Sequence, residues 1–412
     1  MDIKSDYPVV IVGGGMAGAS VAIALAQIGI KCGVFEAFAK DAQQQPSFDD
    51  RTVALSASSL NIFRSLSLSE KIAAVSEPIH NIHVSEQGNI GFSRIAAHDV
   101  NEKQLGAVIE NWQLGKLLQQ QISQLPTIDY FAPVTVETIE QNQQQARLVI
   151  RAEERLHTVT AALVVLADGA RSPLRQQLHI DSEITDYQQY AIVCNVATQK
   201  GHDNWAFERF TAEGPLALLP MKKEKGHNRL SIVWSKDKAQ IDEFINMPEA
   251  QFAQELERTF GARLGKITQV GKRQSFPLIQ HKASSLFRGR CVLIANAAQS
   301  LHPIAGQGFN LGLRDIATLI ELLQQADANH EDLGSYQLLR NYQQRRESDR
   351  ERTLLVTESL ARFFANDWFL LSIARNLLIK TMDITPFAKR LFAQGAMGFH
   401  YDNNRWCSRE EE

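Results

Sequence analysis

Short apolar runs punctuate the chain, and several give way at once to loops of small or polar residues. Residues 7–12 lead into Gly13-Gly14-Gly15-Met16-Ala17-Gly18, residues 163–167 into Asp168-Gly169-Ala170-Arg171, and residues 291–295 into the aperiodic stretch 296–308. Apolar runs bounded by turn signals read as buried strands of a parallel sheet. After the first and third loops the period changes. Ala17, Val21, Leu25 and Ile28, and later Phe309, Leu313, Ile316, Ile320 and Leu323, recur at helical spacing. Open parallel sheets bind ligands beyond the carboxyl ends of their strands, so one ligand can touch all three loops.

The rest of the pattern fills in around this core. Residues 52–56 lead into a helix through Leu60, Phe63 and Leu66, and residues 108–125 read as a helix with Trp112, Leu114, Leu117, Leu118 and Ile122 on its apolar side. Weak alternation over 78–101 and strand patterns at 190–197, 206–211, 216–220, 230–234 and 268–278, interrupted by a helix near 248–260, predict an inserted, mainly antiparallel sheet. The expected fold class is α/β: a Rossmann-like dinucleotide-cofactor domain with that inserted antiparallel sheet as a second domain and a C-terminal helical segment. Its expected parts are 1–77, 102–180 and 281–352 for the cofactor domain, 78–101 and 181–280 for the substrate sheet, 353–400 for the terminal helices and 401–412 for a polar tail.

Two C-terminal stretches carry distinct signals. From 338 to 352, Arg345, Arg346, Arg350 and Arg352 alternate with Glu347, Asp349 and Glu351, which reads as a solvated helix face. Between 354 and 399, aromatic and aliphatic residues including Phe363, Trp368 and Phe369 crowd together among Arg362, Arg375 and Lys380. A helical hairpin packed on the sheet explains them, and so does an interfacial surface that admits a lipid-tailed substrate.

Composition narrows the class. With 412 residues, 44% hydrophobic and 22% charged, the chain can bury a sizeable core. A net charge of −3 offers no footing for nucleic acid. Cys32, Cys194, Cys291 and Cys407 are scattered without metal-ligand spacing and read as reduced thiols of a cytoplasmic protein. His80, His83 and His98 complete no metal pattern either, so no metal is expected. No apolar run reaches bilayer length.

The loops carry the chemistry. Gly13, Gly15 and Gly18 follow a strand and open a helix, with Glu36 ending the next apolar run, which makes the spacing a dinucleotide fingerprint. The glycines serve a tight turn, close approach to a pyrophosphate, and helix–strand packing. Glu36 suits ribose hydroxyls and would repel a 2′-phosphate. Gly306 and Gly308 sit at the start of the second helix, whose first N–H groups lack internal partners and favour an anion or a ring that becomes anionic. Pro303 stiffens the approach. FAD, which offers both a pyrophosphate and such a ring, fits better than NAD. No second glycine fingerprint is present for a nicotinamide cofactor.

The run Asn296-Ala-Ala-Gln-Ser-Leu-His-Pro-Ile-Ala-Gly-Gln-Gly-Phe-Asn-Leu-Gly-Leu-Arg-Asp315, together with the glycine fingerprint and the Asp168-Gly169 turn, resembles the FAD-dependent aromatic hydroxylases of ubiquinone biosynthesis. Within that family it is most similar to the branch acting on 2-polyprenyl-6-methoxyphenols. Asn296 and Gln299 stand where most of the wider family has Asp and His, and Ala295 stands where even this branch has Gly. The resemblance covers nearly the whole chain.

It implies FAD bound by Gly13, Gly15, Ala17, Gly18, Glu36, Arg51, Gln113, Asp168, Asn296, Pro303, Gly306, Gln307, Gly308, Phe309 and Asn310, with His302, Pro303 and Gln307 at the reacting centre. It further implies NAD(P)H as reductant, O2 as cosubstrate, and oxygen transfer from a flavin C4a-hydroperoxide to a polyprenylated phenol. Asp168 would orient the cofactor pocket and Arg171 support its loop, while Phe210, Leu218 and Phe276, with Pro220 and Pro277 in strand-end loops, would lie near the substrate. His302 would contact substrate or serve only the loop. Other ubiquinone-biosynthesis proteins and peripheral contact with the inner membrane are the implied partners. A sister hydroxylase acting at another ring carbon and a flavin-binding scaffold subunit remain as alternatives.

Overall fold

The computed structural model describes residues 3–39, 51–88, 92–301 and 306–364. Cys291–Leu293, Arg155–Leu166, Asp6–Val12, Cys32–Phe35 and Ile128–Phe131 lie side by side in that order as a parallel sheet. Val9, Val10, Ile11, Val34, Val164 and Val292 are completely buried, as the unbroken apolar runs require of strands covered on both faces. Ala146–Ala152 and Thr135–Gln141 extend the sheet as an antiparallel ribbon. Val12 is in register with Leu166, and Leu166 with Leu293. The three predicted loops therefore leave from one edge, side by side.

A second, nine-stranded sheet is antiparallel except where Trp205–Thr211 runs parallel to Asn81–Glu86. Its outer face is closed by the helices Ile241–Asn246 and Glu249–Phe260. There Trp234, fully buried, takes Phe244 and Phe252 edge-on with centroids 5.3 and 5.9 Å away. A small sheet of Thr52–Ser56, Gly106–Glu110 and Glu77–Ile79 meets the inner face, where Ala206 and Leu219 join Ala54, Ala57, Ile79 and Val108 in one apolar cluster.

Several expectations need correction. The helix expected from residue 108 starts at Asn111, because residues 106–110 pair with Thr52–Ser56 as a strand. Pro220 and Pro277 lie inside strands rather than in strand-end loops, and the register breaks between Met221 and Glu224 and between Asp186 and Tyr190. Such breaks let a sheet carry residues that cannot donate to the ladder. The charged stretch 338–352 is solvated on one side only: Glu347, Glu351 and Arg352 are exposed, whereas Arg346, Asp349 and Arg350 are buried where the helix Tyr336–Phe364 packs on the helix Gln307–Ala328. The aromatic-rich residues beyond 364 lie outside the described part of the chain. Among the described residues no helix is long and apolar enough to cross a membrane.

Candidate functional site

The first loop is built by glycine. Gly13 has φ +96, and a Cβ there would come within 2.6 Å of the Ala167 carbonyl oxygen of the neighbouring loop. At Gly18 a Cβ would meet the Gly13 oxygen at 1.8 Å, which no other residue can accommodate. The helix Met16–Gln27 begins at Gly15 with no side-chain cap and no acidic residue in its first turn, so no residue of the helix itself offsets the positive end of its dipole. Gly15 and Ala17 are half-buried at this opening. Glu36 is buried, and its carboxylate accepts from the Gly14 N–H at 2.5 Å and the Phe38 N–H at 2.9 Å. It thus shapes the loop as well as offering its remaining lone pairs.

In the second loop, Ser172 Oγ donates to Asp168 Oδ2 at 2.7 Å, while Asp168 Oδ1 is buried without a partner among the described residues. Burial pushes the carboxyl up to about 6, against the opposing pull of the Ser172 hydrogen bond. Arg175, not the exposed Arg171, supports the loop. Its guanidinium donates to the Ala170 carbonyl at 2.9 Å and the Ala297 carbonyl at 3.0 Å, and lies 3.1 Å from His281 Nε2. The same ring nitrogen is 3.1 Å from the Asn296 carbonyl oxygen. Burial, helped by Arg175, pushes His281 down to about 4. This pair ties the second and third loops to the strand Gln274–Ala283.

The third loop is held from behind by buried charge. Asp315 accepts from the Ala295 N–H at 3.1 Å and from Gln299 Nε2 at 2.7 Å, and Arg346 Nε donates to its other oxygen at 2.8 Å. Arg346 also pairs with Asp349 at 2.6 Å, and Arg314 Nε donates to Asp349 at 2.8 Å. Burial would raise the Asp349 carboxyl, but the two guanidiniums outweigh it and hold it below the usual range. Arg350 donates to the Ala283 and Ala298 carbonyls at 2.5 and 3.2 Å. Ala295 has φ +48, the left-handed region that glycine takes without strain. The sequence signal for this network was Arg314-Asp315 set inside an otherwise apolar helical face, which calls for buried, paired charges.

At the start of the helix Gln307–Ala328, Gly306 takes φ +60 as an uncapped N-terminus. A Cβ on Gly308 would meet nothing within 4 Å. Gln307 is buried and Phe309 packs on the core. Asn310 is almost completely buried with both ends of its amide engaged: it accepts from Ser56 N and Ser59 Oγ and donates to the Ala54 and Gly306 carbonyls. Its side chain therefore positions this helix start. Asn296 is exposed at the loop. His302 and Pro303 lie outside the described residues.

Arg51 and Gln113 come together elsewhere. With Glu110, Trp112, Asn195, Gln274 and several lysines they line a cleft of about 640 Å³ that includes no residue of the three loops. Arg51 stacks on Phe276 at 4.4 Å, and Gln113 donates to Glu110, which also receives Arg229 at 2.9 Å. Of the residues expected near substrate, Phe276 is half-buried under Arg51, whereas Leu218 belongs to the core beneath the outer helices.

Two uncapped helix N-termini, glycines with no room or need for a side chain, and an unpartnered buried carboxylate oxygen make a set of donors and acceptors that fits an extended, anionic, hydroxyl-bearing cofactor. Residues 6–355 match a family described as FAD binding domain. The ubiquinone hydroxylase UbiL of Rhodospirillum rubrum is 33% identical over 390 residues, covering 95% of this chain and 89% of the relative. The 3-demethoxyubiquinol 3-hydroxylase of Escherichia coli is 30% identical over 401 residues, covering 95% and 98%. Among solved structures, the p-nitrophenol 4-monooxygenase of Pseudomonas putida superposes with a TM-score of 0.79 at 17% identity, covering 98% of this chain and 100% of that one. The chain thus belongs to the FAD-binding family of ubiquinone-biosynthesis hydroxylases.

Proposed function

We propose that the protein hydroxylates a polyprenylated phenol of ubiquinone synthesis, 2-polyprenyl-6-methoxyphenol, using FAD, O2 and NAD(P)H. The observation that carries this reading is the convergence of three strand-end loops on one edge of the parallel sheet. In it, Gly13, Gly15, Ala17 and Gly18 hold the pyrophosphate on the first helix N-terminus, and Glu36 takes the adenosine ribose. Asp168 and Asn296 accept from or donate to the ribityl chain. Pro303, Gly306, Gln307 and Gly308 border the flavin ring, whose negative charge the second helix N-terminus favours. FAD, when bound, supplies the activation of O2 and delivery of one oxygen atom. The protein's own work is to orient the phenol ring and keep water away from that centre.

A second reading, hydroxylation at another carbon of the ring, is supported by the similarity to a relative named for 3-demethoxyubiquinol. One experiment serves both. Purified protein carrying FAD is reduced anaerobically, then mixed with O2 and a short-chain 2-prenyl-6-methoxyphenol, and the product is mapped by mass spectrometry and NMR. Hydroxylated product is expected, and its substitution pattern names the carbon. Flavin that reoxidises without product on any prenylated phenol overturns the hydroxylase reading in favour of a flavin-binding scaffold.

A further inference from the structure

The inner face of the second sheet carries a carboxylate with no partner among the described residues. Glu208 of the strand Trp205–Thr211 is in register with Ala217 on one side and Val84 on the other, and the row continues through Val233 to Val193. All five are half-buried. The alternate residues Phe207, Leu216, Leu218 and Ile232 enter the core under the outer helices instead. On the inner face Ala206 and Leu219 pack with Ala54, and Ala54 lies 3.3 Å from where a Cβ on Gly306 would stand. The row therefore borders the space between the sheet and the glycine start of the helix Gln307–Ala328.

Among the described residues Glu208 has neither a hydrogen bond nor an ion pair. On its own strand its face continues as Ala206 and Phe210; the adjacent strands present Ile82, Val84 and Glu86 on one side and Pro215, Ala217 and Leu219 on the other. Glu86 is the sole other titratable group in that set, and no cation is among them. Arg209 next door belongs to the opposite face, where it donates to Ser85 Oγ at 3.4 Å. Burial alone pushes the Glu208 carboxyl up to about 7. An ionisable group left unpaired among apolar neighbours is costly, and a desolvated carboxyl of this kind is a candidate for chemistry with a ligand.

We infer that Glu208 is the base of the reaction, accepting the hydrogen bond of the substrate's phenol hydroxyl and taking its proton as the ring carbon gains oxygen. This rests on the hydroxylase reading above. As the ring carbon forms its bond to oxygen, the phenol O–H electron pair becomes a C=O bond and the proton passes to the carboxylate. When the ring carbon then loses its own hydrogen as a proton to solvent, those electrons restore aromaticity and Glu208 returns its proton to the ring oxygen. The transferred oxygen atom comes from O2, whose other atom leaves as water, and the nicotinamide reductant supplies the two electrons that this requires.

The test uses E208Q and E208L in the full chain with FAD, each first shown to keep the flavin spectrum and to melt no lower than wild type. For E208Q, which retains an acceptor but no base, kcat should fall roughly 100-fold while the dissociation constant of the phenol stays within about threefold. The rise of wild-type kcat/KM with pH, centred near 7, should vanish. For E208L, the preference for the phenol over its methyl ether, read by equilibrium binding to the oxidised protein, should drop roughly tenfold or more. Wild-type product with both variants matching wild type in kcat, pH profile and preference overturns the role of Glu208 and leaves the hydroxylase reading standing. No product from wild type, with the preference still lost in E208L, overturns the hydroxylase reading and retains Glu208 as the phenol-binding group.

Discussion

Replacing Arg346 by Met tests whether buried charge holds the cofactor loop. Arg346 is completely buried between Asp315 and Asp349. Asp349 keeps Arg314 after the change. Asp315 loses the ion pair with Arg346 and keeps the Ala295 N–H, the Gln299 amide and the weaker attraction of Arg350. Leaving one buried charge uncompensated costs about 3–5 kcal/mol. At an unfolding entropy of about 2.1 cal/mol/K per residue over 412 residues, that corresponds to a drop of about 4–6 °C in melting temperature for cooperative unfolding. Because Asp315 also fixes Ala295 and Gln299, FAD retention should weaken together with stability, so flavin fluorescence should be released at lower temperature and lower dilution. The double variant D315N/R346M removes the orphaned charge while Asn keeps an acceptor for the loop, so it should lie closer to wild type than R346M alone. A single variant that melts within roughly 1 °C of wild type and holds FAD equally well would refute the reasoning, and so would a double variant with strictly additive losses.

Further outcomes follow from the loops and the titrating groups. Gly18→Ala drives a Cβ into the Gly13 oxygen at 1.8 Å, so FAD binding should be lost or the protein should not fold; a purified variant with normal flavin content would contradict the close packing assigned to Gly18. Ala295→Gly relieves a left-handed φ of +48 and should stabilise by about 1 kcal/mol, read as a small rise in melting temperature. Glu208 is raised from 4.5 to about 7, so the folded state binds its proton more tightly than the unfolded chain, and this group's contribution to stability is lost as pH rises through that window. The melting temperature of E208Q relative to wild type should therefore grow between about pH 5 and pH 8. His83 and His281, both pushed down to about 4 mainly by burial, act in the opposite sense over part of that range, which is why the difference between variant and wild type is the quantity to follow.

Much of this protein was legible in its linear pattern. Apolar runs ending in Gly13, Asp168 and Asn296 specify parallel strands and ligand loops because period, strand-end glycine and helix onset are local properties, each decided within a dozen residues. The same holds for the inserted sheet, whose alternation is read strand by strand. What the tertiary structure decided is which charges are buried and which face a side chain takes. Arg346, Asp349 and Arg350 carry the spacing of a solvated helix, and only the packing of the helix Tyr336–Phe364 on Gln307–Ala328 removes them from water and turns them into supports for the residue 295–300 loop. Asn310, in the middle of a cofactor-like motif, proves to anchor a helix to Ala54 and Ser56 from far away in sequence. Glu208 and Leu218 illustrate the limit most plainly: strand alternation says that neighbours face opposite ways, but which way is inward depends on the register with strands more than a hundred residues distant. Pairing, burial and the loss of solvent around a charge are non-local, and they are set only when the sheets and helices come together.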